Sequence, residues 1–217
     1  MALAVLAVLG LGAGGSWLVL GSPVLAVDRV VVEGADRLPT QAILDAAHVP
    51  RGAAMVRLDR AAIADRVRTL APVADVEVDR RWPSTVALVV TERTPAAVLS
   101  VGHGFRLVDA DGVAFAAAAK RPKGLPLISG VPAAAVDRLR AATVVAAGLP
   151  DDLAKHVVSV SARSADAVVL QLTHHREVVW GAASDASAKV AVLRVLMQTQ
   201  QAAVYDVSAP AAPTTRR

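Results

Sequence analysis

Side chains capable of chemistry gather at five places in this chain: Gly102-His103-Gly104, Asp109-Ala110-Asp111-Gly112, Asp151-Asp152, Ser159 with Ser161, and His174-His175. Two adjacent histidines suggest a metal. Neighbours on a strand point to opposite faces, however, so the pair is a poor chelate and reads as solvated hairpin residues. His103 stands alone in its loop. Ser159 and Ser161 lack the glycine-flanked elbow that exposes a nucleophilic serine. Asp151-Asp152 reads as the start of a loop leading to a strand rather than as an acid/base pair. Asp109-Ala110-Asp111-Gly112 opens like a calcium loop, but such a loop ends in a glutamate where this chain has Lys120. A hairpin turn with Asp-Gly at its tip is expected instead. Gly10-Leu11-Gly12-Ala13-Gly14-Gly15 has the GxGxxG spelling of a dinucleotide site. That site needs a preceding strand within a βαβ unit and an acidic residue about 20 positions on. The chain has no cysteine, which excludes disulfides and thiolate metal centres. No nucleophile, base and oxyanion donor converge, so no catalytic, cofactor-binding or metal-binding residue is expected and the chain reads as a non-enzyme.

The elements that hold these residues begin with an apolar stretch. No charged side chain occurs from Met1 to Val27, and Ala2 to Leu20 would span about 28 Å as a helix, close to the ~30 Å of a bilayer core. Gly21-Ser22-Pro23 breaks it, and Trp17 sits where an interfacial aromatic belongs. The spacing predicts a transmembrane helix over 1–22. A cleaved signal peptide is the alternative, against which the run exceeds the ~15 residues of a signal core. Gly10 and Gly14 stand at GxxxG spacing, which either packs two such helices together or is a coincidence of a Gly/Ala-rich run. No Lys or Arg precedes the run, which points to a cytoplasmic start lying outside this sequence. Asp28 and Arg29 nearly balance, so orientation rests on the nature of the downstream domains rather than on flanking charge.

The chain has 217 residues, enough for one large domain or two small ones plus a membrane segment. The formal charge is +4 and dispersed, with no run of five like charges, so a nucleic-acid tract is not indicated. Anionic lipid headgroups are a candidate partner. The most informative segment is 72–95. Val76 and Val78 alternate with Asp75, Glu77 and Asp79, while Val86, Leu88 and Val90 share one face. Trp82-Pro83-Ser84-Thr85 turns between them, giving an antiparallel hairpin with one buried face. Upstream, Val27 to Glu33 reads as a strand. Thr40 is placed to cap a helix over 41–47, and Asp59 a second over 60–70 with Ile63, Val67 and Leu70 inward. Strand-helix-helix-strand-strand is a small α+β layer unit. Glu92 and Arg93 form either a surface ion pair or, with Pro95, a domain junction.

Downstream, Ala97 to Val101, Phe105 to Phe115 around the Asp-Gly turn, Val157 to Ala162, Ala167 to Thr173 and Glu177 to Trp180 read as strands. Pro132 opens a helix ended by Gly148. Ser184 or Asp185 caps another to about Gln200, with Val192, Leu193, Leu196 and Met197 inward. Val204 to Val207 is a last strand, and the Pro/Ala/Thr-rich 209–217 reads as a disordered tail.

The ordered wording of these pieces resembles the extracytoplasmic part of the bacterial cell-division FtsQ/DivIB family. The pieces are Val30-Val31-Val32-Glu33-Gly34, Ile43, Gly52, Leu58-Asp59, Ile63, Val73 to Val78, Arg81-Trp82-Pro83-Ser84-Thr85-Val86 and Glu92-Arg93-Thr94-Pro95. Leu107-Val108-Asp109, Gly112-Val113, Phe115, Leu125 to Gly130, Trp180-Gly181, Asp185, Lys189 and Tyr205-Asp206-Val207 continue it. The resemblance implies an α+β chain: a transmembrane helix (1–22), a POTRA domain (23–95), a mixed β-sheet domain with two helices (96–208) and a tail. It implies an inner-membrane divisome scaffold at the division septum, N-terminus cytoplasmic and domains extracytoplasmic. Its expected partners are FtsB and FtsL, with FtsW, FtsI and FtsK beyond them. Carried over, the partner-binding residues are Val204, Tyr205, Asp206, Val207 and Ser208. They are expected at a sheet edge open to strand addition, with an ordinary core strand as the alternative. A POTRA protein of secretion or outer-membrane assembly would need several such repeats or a large barrel, for which the remaining strands are too few. A membrane-anchored cell-wall enzyme would need the convergent set that is missing.

Overall fold

The computed structural model describes residues 23–217. The expected membrane segment and its glycine motifs lie outside the described residues, none of whose helices is long and apolar enough to cross a membrane. The chain divides after Arg93 into two compact units.

The first unit contains β1 (Arg29–Glu33), α1 (Thr40–Ala47), α2 (Arg60–Arg68), β2 (Val73–Arg81) and β3 (Thr85–Glu92). Its three-stranded sheet has the order β1-β3-β2. β3, the most apolar strand, is central: antiparallel to β2 and parallel to β1. The period-two alternation puts Val86, Leu88 and Val90 in register with Val78 and Val76 on one side and with Val30 and Val32 on the other. That face packs on Ile43, Ala47, Ile63 and Val67 of the helices. Asp59 caps α2 as its spacing predicts, its carboxylate accepting from the Ala62 N–H at 3.0 Å. α1 differs from expectation: Thr40 is its first residue and Pro39 stands at the cap without a side-chain bond. α2 ends at Arg68 rather than Leu70, where the Thr69 hydroxyl donates to the Arg66 carbonyl at 2.7 Å. Arg66 joins the helices by donating Nε and Nη2 to the Ala47 carbonyl at 3.0 and 2.7 Å. On the open face Arg81 grips Glu33 through two bonds of 2.6 and 2.7 Å, crossing β3 diagonally. The Arg81 hydrogen bonds hold the Glu33 carboxyl below its ordinary range.

The second unit is a nine-stranded mixed sheet of order β12-β11-β10-β9-β8-β7-β4-β5-β6. In chain order these are β4 (Ala97–Val101), β5 (Gly104–Val108), β6 (Ala114–Ala118), β7 (Leu127–Ile128), β8 (Val157–Ala162), β9 (Val168–Leu172), β10 (Glu177–Gly181), β11 (Val204–Asp206) and β12 (Thr214–Arg216). The helices are α3 (Val136–Ala147), α4 (Asp151–Ala154) and α5 (Ala186–Thr199). Leu99, Ile128, Leu139, Val160, Leu170, Trp180, Leu193 and Tyr205 form one buried core. Pro132 lies ahead of the helix it was expected to open: residues 132–135 make a turn, and α3 begins at Val136. Asp109 serves its hairpin, its carboxylate accepting the Val113 N–H at 2.8 Å and its carbonyl the Gly112 N–H at 3.2 Å. Gly112 has φ +82 and lies against the α3 backbone at Val136 and Arg140.

Three expectations are corrected here. Asp151-Asp152 starts the short α4 rather than a loop, and Arg194 of α5 donates to the Asp152 carboxylate at 2.9 and 3.1 Å. The unit accordingly has three α-helices rather than two. The tail is not disordered: Thr214–Arg216 pairs antiparallel with β11, Tyr205 opposite Thr215. A turn closed by the Ala212 N–H on the Ala209 carbonyl at 3.0 Å brings it back, and β-branched threonines suit an extended edge.

Candidate partner-binding edge of the second sheet

β10 and β11 run parallel, Val178 opposite Tyr205, so the chain must cross over between them; α5 is that crossover. Four groups fix it in place. Trp180 and Leu193 are buried in the core. Lys189 is 1% exposed, with its ammonium donating to the Ala182 carbonyl at 2.7 Å and standing 5.9 Å from the Trp180 ring centre. Tyr205 is fully buried; its hydroxyl donates to the Gln200 carbonyl at 2.9 Å and accepts from the Ala202 N–H at 3.3 Å. This clamps the link from α5 into β11.

Burial holds the Lys189 amine below its ordinary 10.5, the Asp185 carboxylate opposing it only in part. The unfolded chain therefore binds this proton more tightly than the folded one, and stability rises as pH climbs from the folded value towards 10.5. Lys189→Met is expected to flatten that rise. Urea unfolding at stepped alkaline pH measures it, and parallel curves for the two proteins would refute it.

The five residues expected to bind a partner do not share one environment. Tyr205 and Val207 are buried with their side chains in the core, Val204 and Asp206 are half-buried, and Ser208 is exposed. Nor is β11 outermost. One side pairs with β10, including the Val207 N–H on the Val179 carbonyl at 3.0 Å, and the other with β12. The correction has a simple cause: the side chains of 204–208 fit an edge strand, and nothing local announces that the chain returns to cover it. The outer strand is β12, with Thr214 and Arg216 exposed and Thr215 half-buried. Asp206 shapes the return by accepting the Ser208 N–H at 3.0 Å and its hydroxyl at 2.7 Å. Thr215 donates its hydroxyl to the Gln200 side-chain carbonyl at 2.7 Å. The alternation of Thr214, Thr215 and Arg216 after Pro213 was the available signal, a weak one at three residues.

The residues singled out for chemistry are dispersed. His174 and His175 are exposed in the turn between β9 and β10, with φ of 62° and 56°. Ser159 is buried and accepts a hydrogen bond from the Ser129 hydroxyl at 3.0 Å. Among the described residues no three of His, Cys, Asp and Glu gather to hold a metal. At the junction, Glu92 turns inward to its own unit, accepting the N–H groups of Arg37 at 2.9 Å and Leu38 at 2.8 Å. Burial raises its carboxyl, but the Leu38, Arg37 and Asp36 N–H groups outweigh that and hold it below the ordinary value. Arg93 donates its backbone N–H to Pro72 at 2.8 Å and Nε to Ala71 at 3.1 Å. Pro95 follows, half-buried.

Residues 25–93 match the family described as POTRA domain, FtsQ-type. Residues 97–208 match the family described as Cell division protein FtsQ/DivIB, C-terminal. The chain is similar to the Cell division protein FtsQ of Streptomyces bingchenggensis, 38% identical over 94% of this chain and 80% of that relative. It is similar to that of Streptomyces griseus, 40% identical over 89% of this chain and 98% of the relative. To that of Mycobacteroides abscessus it is 35% identical over 90% of this chain and 63% of the relative.

Proposed function

This chain belongs to the FtsQ/DivIB family of cell division proteins, and from that premise we propose that it is a non-enzymatic, single-pass membrane scaffold of the divisome. The apolar 1–22 anchors it, with the N-terminus cytoplasmic and both folded units outside the membrane at the septum. The POTRA unit docks neighbouring division proteins such as FtsK. The outer edge of the second sheet takes a strand from FtsB, held with FtsL, and through them the scaffold acts on FtsW and FtsI. In this way it links early and late division proteins. One observation carries the reading: the sheet ends in a short strand, β12, whose outer side has no neighbouring strand among the described residues. Backbone N–H and C=O groups at such an edge accept a further strand. The residues 204–208 then support the edge from beneath, through Tyr205 and Val207 in the core, rather than meeting the partner side by side.

Depletion tests the function and crosslinking tests the surface. Depleted cells are expected to filament and lose FtsB and FtsL from the septum; continued division with both proteins in place would sink the reading. A photocrosslinking residue in place of Arg216 is expected to capture FtsB in dividing cells, while one in place of Asp79 on the first unit is not.

A further inference from the structure

We infer that the Trp82 end of the first unit lies in the interface of an anionic bilayer, a surface that rests on the membrane anchoring proposed above. Among the described residues of this unit the exposed large apolar side chains are Val24, Val56 and Trp82, the last 54% exposed, and all three come to one end of it. Backbone bonds gather them. The Asp28 and Arg29 N–H groups donate to the Ser84 carbonyl at 2.9 and 3.2 Å, which sets the hairpin tip beside the start of β1. The Val27 N–H donates to Ala53 at 2.9 Å, and the Gly52 N–H to Val27 at 2.8 Å, which brings in the loop carrying Val56. Arg80 ties that loop to the hairpin through the Val56 and Leu58 carbonyls at 3.2 and 2.8 Å.

Charge at this end suits the same occupant. Arg29, Arg51, Arg57, Arg60 and Arg81 are exposed there against the exposed carboxylates of Asp28, Asp59 and Asp79, with the Glu33 carboxylate reaching Arg81 at 2.6 Å. The chain enters this end directly from a stretch without a charged side chain. A tryptophan with an apolar ring and a polar N–H is suited to the headgroup boundary, and arginines beside it to anionic lipid.

The test uses the full chain in lipid nanodiscs and needs only exposed or anchor tryptophans changed. Trp17→Phe and the double variant Trp17→Phe/Trp82→Phe differ by the emission of Trp82 alone. In discs of phosphatidylcholine and phosphatidylglycerol, that difference spectrum is expected to lose most of its intensity when the acyl chains are brominated near the headgroup. It should lose less in discs of phosphatidylcholine alone. An unquenched Trp82 in protein that stays with the disc would overturn this inference and leave the anchor standing. Equal quenching in both lipids would overturn the assignment to anionic headgroups. Protein that fails to enter the discs would bring down the anchor and this surface together.

Discussion

Tyr205→Ala will lower the unfolding free energy by about 3–5 kcal/mol, the range of large aromatic truncations in a packed core. The ring has no exposed surface and its hydroxyl holds both Gln200 and Ala202. Tyr205→Phe separates the two contributions: it keeps the ring but leaves a carbonyl and an N–H without their partner, at about 1–3 kcal/mol. Urea unfolding followed by the buried Trp180 reads both. The outcome also bears on the partner site. If Tyr205 met a partner side chain directly, its loss would weaken binding and leave stability nearly unchanged. A stability loss well below 1 kcal/mol would therefore restore Tyr205 as a contact residue and remove it from the frame.

Gly112→Ala will cost about 2–5 kcal/mol, combining about 1–2 for a left-handed non-glycine residue with about 1–3 for the collision. An added methyl would strike the α3 backbone at Val136 and Arg140, which cannot swing away as a flexible side chain can. Gly102→Ala is the internal control. Gly102 also has a positive φ, +55, but nothing lies within 4 Å of its absent methyl. The difference between the two variants isolates the steric part. Thermal unfolding should show Gly112→Ala well below Gly102→Ala, and equal midpoints would mean that the hairpin tip does not press on α3.

What was legible from sequence was local. Val76, Val78, Val86, Leu88 and Val90 alternate within a single hairpin, so the strand period alone aims them inward. Asp59 announces α2 because a cap acts across three residues. The Asp-Gly turn at 111–112 was readable for the same reason. The contacts of Glu92 were not legible, because they reach back to Arg37 and Leu38 across the whole first unit. Thr214–Arg216 was misread because its composition is that of a tail, and only a pairing partner turns such a segment into a strand. Lys189 shows the same limit from the other side. A lysine on a helix ordinarily faces solvent, yet a carbonyl and the Trp180 ring accommodate this one inside. The candidate site suffered most, since an edge is defined by what lies next to a strand rather than by the strand itself.

The parallel pairing of β1 with β3 has a consequence for how the first unit comes into being. Arg29 sits opposite Thr85, and Glu33 opposite Val89, so the earliest strand to leave the ribosome finds its neighbour only when the last one has emerged. The β2–β3 hairpin closes on its own short turn, a fast local event, whereas docking β1 requires closing a long loop. Until then β1 is an unpaired apolar ribbon, and a chain interrupted before Glu92 has no complete sheet to join. The unit is thus finished from its C-terminal end backwards, and a ribosome stalled within β3 would leave its first strand exposed to any other unpaired edge nearby.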